Sequence, residues 1–246
     1  MIVERRYIMK ILSIDWDYFI NCSDDFRTLY FPDGGNEDIG SAMSNFIWSQ
    51  RYAQNPDIEK VKVRESDIDT VKKIIDNPEH FFYFISTDSH KHLGEFLLVD
   101  SMADKVKDLE IVNIDHHHDA YNIGEKLNCG NWINKLEEAH PDVKIRWVNN
   151  CDSDKTDDPH ITCVSLDSIK GETFDIVYLC RSGIWSPPHL DKQFTALNRF
   201  IAKRTMYALF REEIPNRWDE DFKKDIKTQK ALLESLRSAM SNKTSD

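Results

Sequence analysis

The chain lacks the makings of a disulfide framework. Its five cysteines (Cys22, Cys129, Cys151, Cys163, Cys180) are odd in number, widely spread and contain no CxxC pair. That argues against both a stapled secreted scaffold and a zinc–thiolate finger. Also missing are an apolar run of membrane-spanning length and a basic-then-apolar leader at the N-terminus. Both absences point to a cytoplasmic protein with no membrane partner. Positive charge is in the minority, 32 Lys and Arg against 43 Asp and Glu, for a net −11. A nucleic-acid backbone is therefore disfavoured as a partner, while cations and metal ions are suited. No internal repeat or low-complexity linker divides the 246 residues, so a single domain over 1–246 is expected. A second methionine, Met9, stands directly before the first apolar run, which marks residues 1–8 as a flexible extension. Residues 241–246, "SNKTSD", read as a frayed tail.

What is present is an alternation of short apolar runs and helix-like segments. "KILSI" (10–14), "FFYFIS" (81–86), "EIVNI" (110–114), "VKIRWV" (143–148), "ITCVS" (161–165) and "DIVYLC" (175–180) read as strands. Their nearly continuous apolar character suits strands buried on both faces. Between them, "SDIDTVKKIID" offers Ser66 as an N-cap and carries Ile68, Val71, Ile74 and Ile75 along one helical face. "LGEFLLVDSMADKV" (93–106) and "CGNWINKLEEAH" (129–140, ahead of Pro141) read as further helices, and the charged stretch from about Leu190 onward as mostly helical. Strand–helix–strand alternation predicts an α/β fold, a three-layer α/β/α sandwich on a mainly parallel sheet. In such sheets ligands bind beyond the carboxyl ends of the strands, so polar residues directly after apolar runs carry the functional interest.

Three strand ends stand out. "LSIDWDYF" supplies Asp15 and Asp17, "FISTDSHKH" supplies Asp88, His90 and His92, and "EIVNIDHHHDAYN" supplies Asp115, His116, His117, His118 and Asp119. In extended chain alternate side chains share a face, so Asp15 pairs with Asp17, and Asp115, His117 and Asp119 form one row opposite His116 and His118. Carboxylates crowded at this density must share protons or acquire a cation. Two divalent metals, bridged by an aspartate, satisfy such a set. Oxygen and nitrogen donors without thiolate favour manganese, with zinc, iron and cobalt also compatible. A fourth strand end, "YLCRSGIWSPPHLD", places Arg181 and Trp185 ahead of the rigid Pro187–Pro188 pair, and "NCGNW" places Asn131 in a helix-opening loop. These three residues are candidates for holding substrate. His80, His140, His160 and His189 read as ordinary surface or core histidines.

The motifs resemble those of the ureohydrolases, the arginase and agmatinase superfamily. "DHHHD" is similar to that family's D-x-H-x-D signature, "SIDWDYF" to its S-x-D-x-D signature, and "STDSH" to a shifted form of its G-G-D-H segment. The resemblance implies an arginase/deacetylase-like fold and two Mn2+ held by Asp15, Asp17, His90, Asp115, His117 and Asp119. Asp119 would handle protons, and His92, His116 and His118 are candidates for the proton shuttle. The order of motifs departs from the usual arginases, because the D-x-D element sits on the first strand rather than late in the chain. The small branch of peptide arginases is the most similar. It implies that an arginine in a ribosomally made precursor peptide becomes ornithine with release of urea. A small free guanidine such as arginine or agmatine is an alternative substrate. A rival resemblance is to manganese phosphoesterases of the DHH type, through "IDHH", "IDWD" and Asp88, although Ser13 stands where that family has a histidine. A single-metal deacetylase and a non-catalytic metal-binding protein are the remaining readings.

Overall fold

A computed structural model describes residues 8–31, 40–77, 82–99, 108–153 and 155–243. Seven strands form one sheet: β1 (Ile8–Asp15), β4 (Tyr83–Thr87), β5 (Asp108–Ile114), β6 (Lys144–Val148), β7 (Ile161–Val164), β8 (Ile176–Cys180) and β9 (Tyr207–Arg211). Their order across the sheet is β7-β6-β5-β1-β8-β4-β9, and every neighbouring pair is parallel. The short strands β2 (Ile20–Asn21) and β3 (Lys62–Val63) pair separately and antiparallel. All six strands expected from the apolar runs are present.

Alternation within the strands builds the three layers. Ile11 and Ile111 are register partners facing one core, beside Leu93 and Leu97 of α4 (Lys91–Leu97) and Trp132, Ile133 and Leu136 of α5 (Trp132–Ala139). Leu12 and Val112, one step on, face the other core. There they meet α3 (Glu65–Ile75), through Ile68, Val71, Ile74 and Ile75, and α6 (Asp191–Ala202), through Phe194, Leu197 and Ile201. Each such side chain contributes about 1.5–3 kcal/mol on burial, which is why β1 must be apolar on both faces. Two further helices, α1 (Asp24–Tyr30) and α2 (Gly40–Gln54), lie between β2 and β3, and α7 (Glu220–Lys243) ends the described chain.

Several boundaries differ from expectation. Ser66 does not cap α3. Arg64 holds the cap position while its guanidinium donates to the carbonyls of Tyr18 and Ile20, and the Ser66 hydroxyl donates to Asp67 inside the first turn. Helix α4 starts at Lys91 and ends at Leu97, with 100–107 outside the described residues. Helix α5 begins at Trp132 because Asn131 is engaged in tying the preceding loop. The stretch after Leu190, read as mostly helical, contains β9, an edge strand paired to β4 through a register irregularity at Phe84 and Ile85. Its five residues leave Tyr207, Leu209 and Phe210 exposed, so no buried period announces the strand. Ile8 already belongs to β1, and α7 carries residues 241–243; residues 1–7, 244–246 and His80 lie outside the described residues.

Candidate metal centre

The central strands end together, and the site is built from the residues just beyond their carboxyl ends. Asp15 closes β1, and the 3-10 turn Trp16–Phe19 then presents Asp17, whose backbone N–H donates to Asp15 Oδ1 at 2.9 Å. Arg27 fixes that turn by donating from Nη2 to the carbonyls of Asp17 and Ile20, both at 2.9 Å. Beyond β5, residues 115–119 form a loop rather than extended strand, with Asp119 in the left-handed region (φ 53°). Aspartate tolerates that conformation better than most residues. Beyond β4, His90 stands at the start of α4.

These ends bring six of the expected residues into two adjoining groups. Nδ1 of His90 lies 3.1 Å from Asp15 Oδ2, 3.2 Å from Asp115 Oδ2 and 3.1 Å from Asp119 Oδ2. Nδ1 of His117 lies 2.9 Å from Asp17 Oδ2 and 4.0 Å from Asp115 Oδ1. Asp115 therefore belongs to both groups, one oxygen to each. A single ring nitrogen cannot donate to three carboxylates at once. Asp17 Oδ2, though close to His117 and fully buried, has no hydrogen-bond partner. Donor atoms of three overlapping sets, Asp17–Asp115–His117, His90–Asp115–Asp119 and Asp15–His90–Cys180, lie within 4.8 Å of one another in each set, close enough to hold a metal ion. With four carboxylates against two imidazoles, the donor set fits divalent cations.

Electrostatics reflect the crowding. Burial, with the neighbouring Asp17 charge, raises the Asp15 carboxyl to about 6. Burial and the charges of Asp119 and Asp15 push Asp115 well above the carboxylate range. Burial opposes the charged form of Asp17, yet His117 and Arg27 hold it well below its ordinary value. The imidazoles respond in the opposite sense. Burial disfavours their charge, but Asp115, Asp119 and Asp15 raise His90 well above its usual value, and Asp17 raises His117 to about 10.

A surrounding layer orients these groups. Ser13 Oγ bonds His90 Nε2 at 2.8 Å, and the Tyr178 ring stacks on His90 at a 5.5 Å centroid distance. Trp132 Nε1–H donates to Asp119 Oδ2 at 2.6 Å, and Asn113 Nδ2–H to Asp115 Oδ2 at 3.2 Å. The Ser182 hydroxyl donates to Asp15 Oδ2. Such partners fix the ligand tautomers and orientations. Sequence reasoning missed all of them. Ser13 and Asn113 were within reach of it: each is a polar residue in an apolar run, two positions before an aspartate and hence on the same face of its strand.

The remaining candidates take other places. His92 is exposed on α4, with Nδ1 2.9 Å from Glu95. His116 is buried, its ring edge-on to that of His117. Burial and the Arg27 charge lower its pKa to about 3, and its Nδ1 has no hydrogen-bond partner. His118 packs on Tyr121 and accepts the Ala120 N–H at Nδ1. Asn131 bonds Asn128 N and the carbonyls of Ile123 and Lys126. Arg181 is buried and bonded through Nε and Nη2 to Asp88 and through Nη1 to the Pro215 carbonyl. Trp185 alone of the three substrate candidates borders the cluster, its ring centroid 5.0 Å from that of His117, which is partly exposed.

No family model, curated protein or solved structure matches this chain. The resemblance to ureohydrolases accordingly rests on the sequence motifs alone. Among the described residues no helix is long and apolar enough to cross a membrane.

Proposed function

We propose that the protein is a two-manganese hydrolase of the ureohydrolase kind, cleaving the guanidinium group of an arginine residue in a peptide to leave ornithine and release urea. The observation that carries this reading is Asp115, whose two oxygens face two separate histidine–carboxylate groups. His90, Asp15, Asp115 and Asp119 would hold one ion, and His117, Asp17 and Asp115 the other. Metal ions bound there would supply Lewis acidity and bring the ionisation of water toward neutral pH.

The chain's own residues do the rest. Asp119 is held by the Trp132 indole N–H, which leaves its other oxygen for a proton on its way to the departing amine. In the net reaction water adds across the guanidinium carbon, one carbon–nitrogen bond breaks, and the amine leaves as ornithine with the transferred proton. Trp185, beside the partly exposed His117, presents an aromatic face that suits a planar cation. The phosphoesterase alternative uses Asp88 as a ligand, and here Asp88 is held in a bidentate pair with Arg181.

The test supplies the manganese-loaded protein with an arginine-containing peptide, free arginine, agmatine and a phosphodiester in parallel, and measures urea, ornithine and ester cleavage. Urea with ornithine retained in the peptide is the expected result. Urea from free arginine or agmatine alone overturns the peptide substrate, and ester cleavage without urea overturns the reaction.

A further inference from the structure

Cys180 ends β8 fully buried, directly across the sheet from Asp15, its register partner. Its sulfur, an Asp15 oxygen and a His90 nitrogen lie within 4.8 Å of one another. Ser182, in the left-handed region at φ 48°, turns its backbone N–H back onto that sulfur at 3.3 Å. An N–H donor aimed at sulfur favours the thiolate form. The Ser182 hydroxyl is meanwhile donated to Asp15, so one residue orients both the sulfur and the carboxylate. Nothing in the two-manganese arrangement uses the sulfur, because Asp115 and Asp119 already complete the oxygen donors around His90.

We infer that Asp15, His90 and Cys180 form a second, overlapping coordination site that takes a thiophilic divalent cation such as zinc in competition with manganese. The inference rests on reading the cluster as a metal centre. Soft thiolate selects zinc over manganese, while carboxylate and imidazole alone do not discriminate in that direction. Zinc–sulfur and zinc–nitrogen bonds of about 2.3 and 2.0 Å require only a modest closure of the three groups from their present spacing. On coordination the Cys180 proton passes to solvent, and the sulfur binds as thiolate. The same polypeptide would then hold manganese through Asp115 and Asp119, or zinc through Cys180, depending on which metal is supplied.

Cobalt(II) titration of the metal-free full chain reads the sulfur directly, because a thiolate–cobalt bond gives a near-ultraviolet charge-transfer band. The band is expected in the wild type, and expected to be lost in Cys180→Ser, Cys180→Ala and His90→Ala, with thermal melts confirming that each variant is folded. In Cys180→Ser, zinc affinity should fall by about tenfold or more while manganese affinity, followed by electron paramagnetic resonance of the free ion, changes by less than about threefold. A wild type that binds manganese but shows no charge-transfer band overturns the Cys180 site and leaves the metal centre standing. A band that persists in both Cys180 variants also overturns it, by assigning the sulfur to another cysteine. A wild type that binds neither metal overturns the metal-centre reading itself.

Discussion

Two groups of buried charges sit at the same edge of the sheet, and they are built on opposite plans. Around Arg181 and Arg217, two guanidiniums meet the two carboxylates of Asp88 and Asp191. Arg217 directs Nε and Nη2 to Asp191, Nη1 to the Gly183 carbonyl and Nη2 also to the Ser186 carbonyl. Charge is balanced, and every guanidinium nitrogen of Arg217 has a partner. Around Asp115, four carboxylates face two histidines, one ring nitrogen is nearly equidistant from three oxygens, and a buried oxygen of Asp17 has no hydrogen bond. The first group is complete as it stands and clamps the loop carrying Ser182 and Trp185. The second does not close among its own residues, and its donors are spaced so that they could hold metal ions. Buried ionic residues thus divide into structure and site by whether their charges and hydrogen bonds close among themselves.

Single substitutions sharpen that contrast. Asp115→Ala should abolish both manganese uptake and turnover while the metal-free protein melts no lower than the wild type, since one of four crowded carboxylates is removed; calorimetric manganese titration and a thermal melt report the two halves. Arg217→Ala does the reverse, leaving Asp191 buried without its main partner. It is expected to cost about 3–5 kcal/mol in urea-induced unfolding. Trp132→Phe removes the hydrogen bond to Asp119 but keeps an aromatic core residue, so metal affinity should fall about 10–100-fold with a stability loss of about 1 kcal/mol.

The pH dependence probes the second group. His117 is pushed up to about 10 and Asp15 to about 6 in the metal-free chain, and both must lose their protons to act as ligands. Metal affinity should therefore rise with pH between about 6 and 10, with protons released on binding. Calorimetry in buffers of different ionisation enthalpy measures that release. A proton count of zero would mean the cluster binds no metal through these residues.

Much of this organisation was legible in the chain. Six apolar runs announced six strands: the central ones are buried on both faces and leave little room for polar residues, while β7, at the sheet's edge, is largely exposed. The ligand candidates stood directly after those runs, where a parallel sheet opens to solvent. Strand β9 was not legible, since an exposed edge strand of five residues carries no buried period. Nor was the role of Arg181: following a strand end it reads like a substrate contact, and only the partners brought by Asp88 and Pro215 give it a structural one.

Sequence by itself thus determined the layered α/β architecture and nominated Asp15, Asp17, His90, Asp115, His117 and Asp119, because periodicity and strand-end position are local properties of the chain. Tertiary structure alone decided how those six divide into two groups about Asp115. It also decided that Ser13, Trp132 and Ser182 orient them, that His92 faces away, and that Cys180 lies beside Asp15. Those facts depend on which strands become neighbours, and β1 acquires β5 and β8 at its flanks from segments about a hundred or more residues away in sequence. Burial then removes the water that would otherwise screen the charges brought together there, so they must be answered by partners or by metal.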